Sequence, residues 1–305
     1  MLPIRKPTAS DFALIVLLGV VWGSTFIAIR VAVVEFGPAN TAFLRVVIAG
    51  AVLLGYVAVR RIPIPTDWRV WGLVAALSLI NIAVPFLLVN WAQLHVNSGV
   101  AALIMGFTPL MSLIASHVTT SDDRITPAKL AGMMLGIAGI VTIVGGDALA
   151  GLGANILPQL VILAAGACFV AAGAVVRKLP AMANETLAGL IMLFAAIALV
   201  PMALAAGWPA MDAISGKGLV ALAYVAVVPT AGTNILRLHL IKTVGQSYMS
   251  LAGFLIPPVG VLLGTVVLGE PLTTTIMIAL GLIVAGMAIA RLGARGSETG
   301  VPPQV

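Results

Sequence analysis

The sequence predicts an all-α polytopic membrane protein with ten transmembrane helices in two inverted five-helix repeats, and three observations predict it. Hydrophobic residues make up 61% of the 305 and charged residues only 9%, whereas soluble domains carry about 25% charge. The charged residues fall between apolar runs that reach the roughly 20 residues needed to cross a bilayer. Finally, a shift of 147 residues lays the second half of the chain on the first.

Residues 1–10 form a short polar lead-in, and Arg5 and Lys6 precede an apolar stretch too long for a signal-peptide core. Spans of the first repeat, residues 11–146, begin near Asp11, Asn40, Arg69, Asn97 and Thr126. Those of the second, residues 154–292, begin near Ala154, Asn184, Lys217, Gly245 and Leu272. Residues 293–305 read as a disordered tail. Connections are short, which leaves no room for a soluble domain.

Basic residues are retained in the cytoplasm during insertion. Of 16 Lys and Arg, all but Arg30, Arg45 and Lys217 fall on one side of the predicted topology. Both termini are therefore expected to be cytoplasmic. The net charge of +6 records loop orientation and is no sign of nucleic-acid binding. The single Cys168 lies in an apolar run and offers neither a disulfide framework nor a thiolate metal site.

The 147-residue shift places Gly19, Trp22 and Arg30 over Gly166, Phe169 and Arg177. Thr126 and Gly139 fall on Thr273 and Gly286, while Pro109 lands one residue from Pro257. Each unit holds five spans, an odd number, so the halves run through the membrane in opposite senses. Inverted repeats recur among secondary transporters, which bind substrate near the midplane between the halves.

Four stretches carry a family resemblance: GVVWGSTFIAIR (19–30), AFLRVVIAG (42–50), VNSGVAALIMGFTPLMSLIA (96–115) and GFLIPPVGVLLGTVVLGEPLT (253–273). Together they resemble the drug/metabolite transporter superfamily, specifically its EamA-type ten-helix exporters, over about residues 11–292. The resemblance implies a central cavity, a bacterial inner-membrane location and export of small metabolites. It is greatest to the exporters of aromatic and other neutral amino acids.

Polar side chains in a membrane need an internal partner or a wet cavity, so they mark candidate sites. Ser24, Thr25, Asn81, Asn90 and Asn234 qualify, although Ser and Thr commonly bond a carbonyl one turn back. Asn81 suits either a helix-to-helix clamp or the ends of a zwitterion. Trp22, Trp91, Phe169, Tyr224 and Tyr248 lie on spans that the resemblance implies line the cavity, and Met105 adds adaptable apolar contact.

Pro85, Pro109, Pro229, Pro257 and Pro258 remove backbone hydrogen bonds within spans, making them candidate gating hinges or fixed bends. Gly132, Gly136 and Gly139 form a close-packing stripe. Arg45 is expected either to pair with Glu35 or cap helix carbonyls near the outer face, or to attract a substrate carboxylate at the exit. Glu270 is expected to stabilise the start of the last helix.

No carboxylate or histidine falls at mid-span, which predicts facilitated rather than proton-coupled export. There is no HExxH, GxSxG or P-loop, so neither catalysis, metal, cofactor nor direct ATP use is expected. The expected partners are a small-molecule substrate and the lipid bilayer, and one chain suffices as a monomer. Two alternatives remain: export of another small solute or drug-like amphiphile, and a non-transporting scaffold or receptor.

Overall fold

The computed structural model describes residues 8–111, 127–149, 156–176, 179–180, 182–244, 252–253 and 255–298. Within them the chain is helical, with no strand. Helix α1, Ala9–Phe36, opens on a capping box in which Thr8 accepts from the Asp11 N–H and the Asp11 carboxylate accepts from the Thr8 N–H. It ends at Gly37, whose φ of 76° few other residues adopt. Pro38 then opens α2, Pro38–Val59, at a position that needs no N–H donor.

The third run is broken. Helix α3, Trp68–Ser78, is capped by Asp67 and passes into a π-helical segment, Leu79–Ala83, before α4, Val84–Ala92. The Val84 N–H reaches back five residues to the Leu79 carbonyl, a register shift that precedes Pro85 and its missing donor. Helix α5, Ser98–Met105, stops at Gly106 and a turn leads to Pro109. Then come α6, Pro127–Leu149, α7, Ile156–Val176, and α8, Asn184–Ala206.

A second π-helical segment, Ala226–Gly232, separates α9, Gly216–Val225, from α10, Thr233–Val244. It starts 147 residues after the first, matching the repeat offset, and contains Pro229. The bundle closes with α11, Ile256–Leu268, and α12, Thr274–Glu298.

Among the described residues six runs are long and apolar enough to cross a membrane: Ala9–Phe36, Pro38–Val59, Trp68–Ala92, Ile156–Gly173, Asn184–Ala206 and Gly216–Arg237. Four shorter apolar runs, Ser98–Met111, Leu130–Thr142, Ile256–Leu268 and Thr274–Ile289, fall where the fourth, fifth, ninth and tenth spans are expected. Apolar side chains such as Val34, Val59, Val220 and Val266 face outward, as lipid-facing helices require.

Packing joins the two halves throughout. The most extensive contact is α6 with α12, followed by α2 with α8 and α5 with α11. Small residues permit it: a Cβ on Gly139 would meet Ile283 at 2.7 Å, and one on Gly286 would meet the Gly132 carbonyl at 2.5 Å. The expected glycine stripe is thus a packing seam.

Glu270 departs from expectation. Its carboxylate accepts from the Ser98 and Gly99 N–H groups at 2.6 and 2.9 Å, so it caps α5. The last helix takes its cap from Thr273, which accepts from the Ile276 N–H at 3.2 Å. Glu270 lies between α11 and α12, where close packing of α11 on α5 aims it across the bundle.

Candidate functional site

Hydrogen bonds form a polar seam between α1 and the broken eighth run, while other buried polar side chains, Arg45, Asn90 and Gln93 among them, lie elsewhere in the bundle. The Trp22 indole donates to Thr233 Oγ1 at 3.0 Å, and Thr233 donates to the Pro229 carbonyl at 2.5 Å. Two residues along α1, Ser24 Oγ and the Tyr224 hydroxyl lie 2.6 Å apart. The Asn234 amide bonds the Thr230 carbonyl, and Thr230 Oγ1 bonds the Val225 carbonyl at 2.6 Å. Hydroxyls and an amide therefore serve carbonyls of the π-helical segment, where the regular ladder is interrupted.

Four expected site residues, Trp22, Ser24, Tyr224 and Asn234, meet in this seam. All four are half-buried. Thr25 does not join them: it is buried and bonds the Val21 carbonyl at 2.9 Å. Asn81 sits inside the first π-helical segment, half-buried, and its amide has no bonding partner among the described residues. Phe169 packs half-buried on the core between α2, α3 and α8.

Asn90 is fully buried and donates to the Pro38 carbonyl at 3.0 Å, tying α4 to the start of α2. Trp91 lies beyond the seam, its ring tilted 55° to that of His95 with centroids 4.8 Å apart. It lines an open apolar pocket of about 790 Å³ with Pro38, Leu87, Met202 and Trp208. Met105 accepts a hydrogen bond from Thr108 at 3.3 Å and packs on the core. Tyr248 falls outside the described residues.

The proline candidates form a reciprocal crossing. A Cβ on Gly106 would meet Pro257 Cγ at 2.3 Å, and one on Gly253 would meet Pro109 Cγ at 3.4 Å. Each ring therefore rests where the other chain segment has no side chain. Pro258 is half-buried beside Pro257, Pro85 is buried at the start of α4, and Pro229 is buried within the second π-helical segment.

Arg45 does not pair with Glu35. Glu35 instead accepts from the Ser215 N–H at 2.8 Å and the Ser215 hydroxyl at 2.6 Å, closing the α1 end onto α9. Arg45 turns inward, 6% exposed, and its Nε donates to Thr230 Oγ1 at 2.6 Å. Its Cζ lies 3.8 Å from the centroid of the Phe86 ring. Phe86 gave no sequence signal as a site residue, because an apolar residue in an apolar span is unremarkable until the fold places a cation over it.

Among the described residues no group of three or more His, Cys, Asp or Glu could hold a metal ion. Every described carboxylate stands near a helix end or in a connection.

Comparison with known proteins agrees with this architecture. One crystal structure superposes with a TM-score of 0.66 at 21% identity, covering 95% of this chain and 100% of that one, which supports the fold. The uncharacterized inner membrane transporter YedA of Escherichia coli K12 is 30% identical over 284 residues, 92% of this chain and 90% of its own. A probable terminal-alkyne amino-acid exporter of Streptantibioticus cattleyicolor is 32% identical over 44% of this chain and 45% of its own. Protein PagO of Salmonella typhimurium is 26% identical over 132 residues. The EamA-like transporter family model matches twice, at residues 11–145 and 156–292. With a duplicated domain, an all-helical bundle and inner-membrane transporter relatives, this chain belongs to the EamA-like transporter family.

Proposed function

We propose that this protein exports small neutral metabolites, amino acids including aromatic ones, across the bacterial inner membrane by alternating access. The observation that carries the reading is the polar seam of Trp22, Ser24, Tyr224 and Asn234 against a π-helical break. Such a break leaves backbone and hydroxyl groups to face a solute, as the discontinuous helices of transporters do. The likeness to an amino-acid exporter over part of the chain supports the substrate class.

Ten spans, two inverted repeats, a central cavity and cytoplasmic termini complete the proposal. Contacts between the halves correspond run by run: α1 packs on the eighth run as α7 packs on the third, and α2 with the second π-helical segment answers α8 with the first. A pseudo-twofold relation between inverted repeats produces that pattern. The proline crossing is the hinge about which the halves rock, and a monomer holds the whole path. Flux is facilitated by the solute gradient. A second reading, export of a drug-like amphiphile, draws on the apolar pocket beside Trp91 and Trp208.

Uptake of labelled phenylalanine, with threonine and methionine as comparisons, into proteoliposomes without a pH gradient tests the reading. Protein-dependent flux that falls about tenfold or more in Asn81→Ala is expected, the size of one lost hydrogen bond to a charged end of the solute. A folded wild type that moves none of the three amino acids sinks it.

A further inference from the structure

Arg45 is a cation inside the bundle without an anion. It is the eighth residue of α2, about 10 Å from that helix's Pro38 end at 1.5 Å per residue. Its Nε is held by Thr230, and one face of the guanidinium is covered by Phe86. No carboxylate pairs with it among the described residues, since Glu35 is engaged by Ser215 and Glu270 by α5. Neither Nη1 nor Nη2 has a hydrogen-bond partner there. A charge at this depth is costly and, where retained, marks a solute or ion pathway.

Its surroundings point to a ligand. Thr230 belongs to the second π-helical segment, and Phe86 lies three residues beyond the first. Arg45 thus touches both broken runs, one from each repeat. With Nε fixed and one face stacked, the edge bearing Nη1 and Nη2 is left for a planar anion, which a guanidinium binds with two parallel hydrogen bonds.

We propose that Arg45 anchors the carboxylate of the transported solute, between the two π-helical breaks. This assignment rests on the transport reading above. It selects zwitterionic amino acids and small monocarboxylates over amines, amides and cationic amphiphiles. Thr230 and Phe86 act as positioning residues, fixing the guanidinium so that its free edge is presented without rearrangement.

The test compares uptake of labelled L-phenylalanine, 3-phenylpropionate and L-phenylalanine amide into proteoliposomes containing wild type, Arg45→Lys or Arg45→Gln, each confirmed monodisperse before reconstitution. Wild type is expected to favour the two carboxylates over the amide by about ten- to a hundredfold, the range for a charge-assisted bond. Arg45→Gln is expected to lose that preference and Arg45→Lys to retain part of it. A merely structural arginine would lower uptake of all three probes alike and leave their ratio unchanged, which overturns the assignment. So does a wild type that treats carboxylate and amide alike. Phenylpropionate uptake without any amino-acid uptake upholds Arg45 as anchor and overturns the amino-acid reading. Amino-acid uptake with full carboxylate preference in Arg45→Gln does the reverse, and a folded wild type that moves neither carboxylate overturns both.

Discussion

Glu270 shows how one side chain can hold two halves of a membrane bundle together. Its two oxygens satisfy the first N–H groups of α5, from a loop 171 and 172 residues away in sequence. The helix dipole and two charge-assisted bonds both favour the carboxylate there. Removing it in Glu270→Ala should lower stability by about 1–3 kcal/mol, because two donors lose their acceptor. Glu270→Gln keeps one carbonyl acceptor and should cost less. Thermal unfolding of the purified protein in detergent checks both, and an unchanged midpoint in Glu270→Ala would refute the clamp. The residue type and its helix-capping chemistry were legible in the sequence, but the partner helix was not. A carboxylate beside Pro271 reads as the opening of its own helix, and only the packing of α11 on α5 redirects it. Arg45 and Asn90 were obscured in the same way, each donating to an element distant in sequence.

At the scale of helices, breaks and crossings matter more than regular turns. Long apolar runs could be read from composition, with starts near Asn40 and Arg69, and the structure sets the ends a few residues away, at Gly37, Pro38 and Asp67, each by a conformational or capping preference. The π-helical segments could not, because a one-residue register shift leaves composition untouched. Proline hinted at them, yet Pro85 follows its segment while Pro229 lies inside the other. The crossing of α5 and α11 makes a sharper prediction. An added methyl at Gly106 would lie 2.3 Å from Pro257 Cγ, and one at Gly260 would lie 2.2 Å from Ala102 Cβ. Either Gly→Ala change should cost about 1–3 kcal/mol through overpacking. Gly55→Ala, with nothing within 4 Å, should be neutral or stabilising. Equal midpoints for Gly106→Ala and Gly55→Ala would show that the crossing has slack. Pro109→Ala addresses motion instead: transport at the wild-type rate would remove the hinge from the proposal and leave a fixed bend.

Across the whole molecule, the two halves meet along α6 with α12, α2 with α8 and α5 with α11. The half-to-half similarity was visible as a 147-residue shift, and the π-helical segments start at that spacing. Which helices touch was not visible, since apolar spans carry no mark of their neighbours. The distribution of charge bears on energetics at this scale. The described carboxylates cluster at helix ends, and the buried ionisable side chain placed between the two broken runs is Arg45. Among the described residues no carboxylate stands at mid-span to move a proton, in keeping with the uncoupled export proposed above. A zwitterionic solute adds no net charge to the moving unit. A membrane potential acts on net translocated charge at about 2.3 kcal/mol per elementary charge per 100 mV, close to fiftyfold in the final concentration ratio. Facilitated export of a neutral amino acid should therefore show the same initial rate and endpoint with an imposed pH gradient, a potassium diffusion potential or neither. Proteoliposomes loaded with labelled phenylalanine and set to each condition with ionophores measure this directly. Accumulation against the phenylalanine gradient driven by the pH gradient would require a proton-carrying group outside the described residues and would overturn the uncoupled mechanism. Accumulation driven by potential alone would mean that the solute or a co-ion moves with net charge.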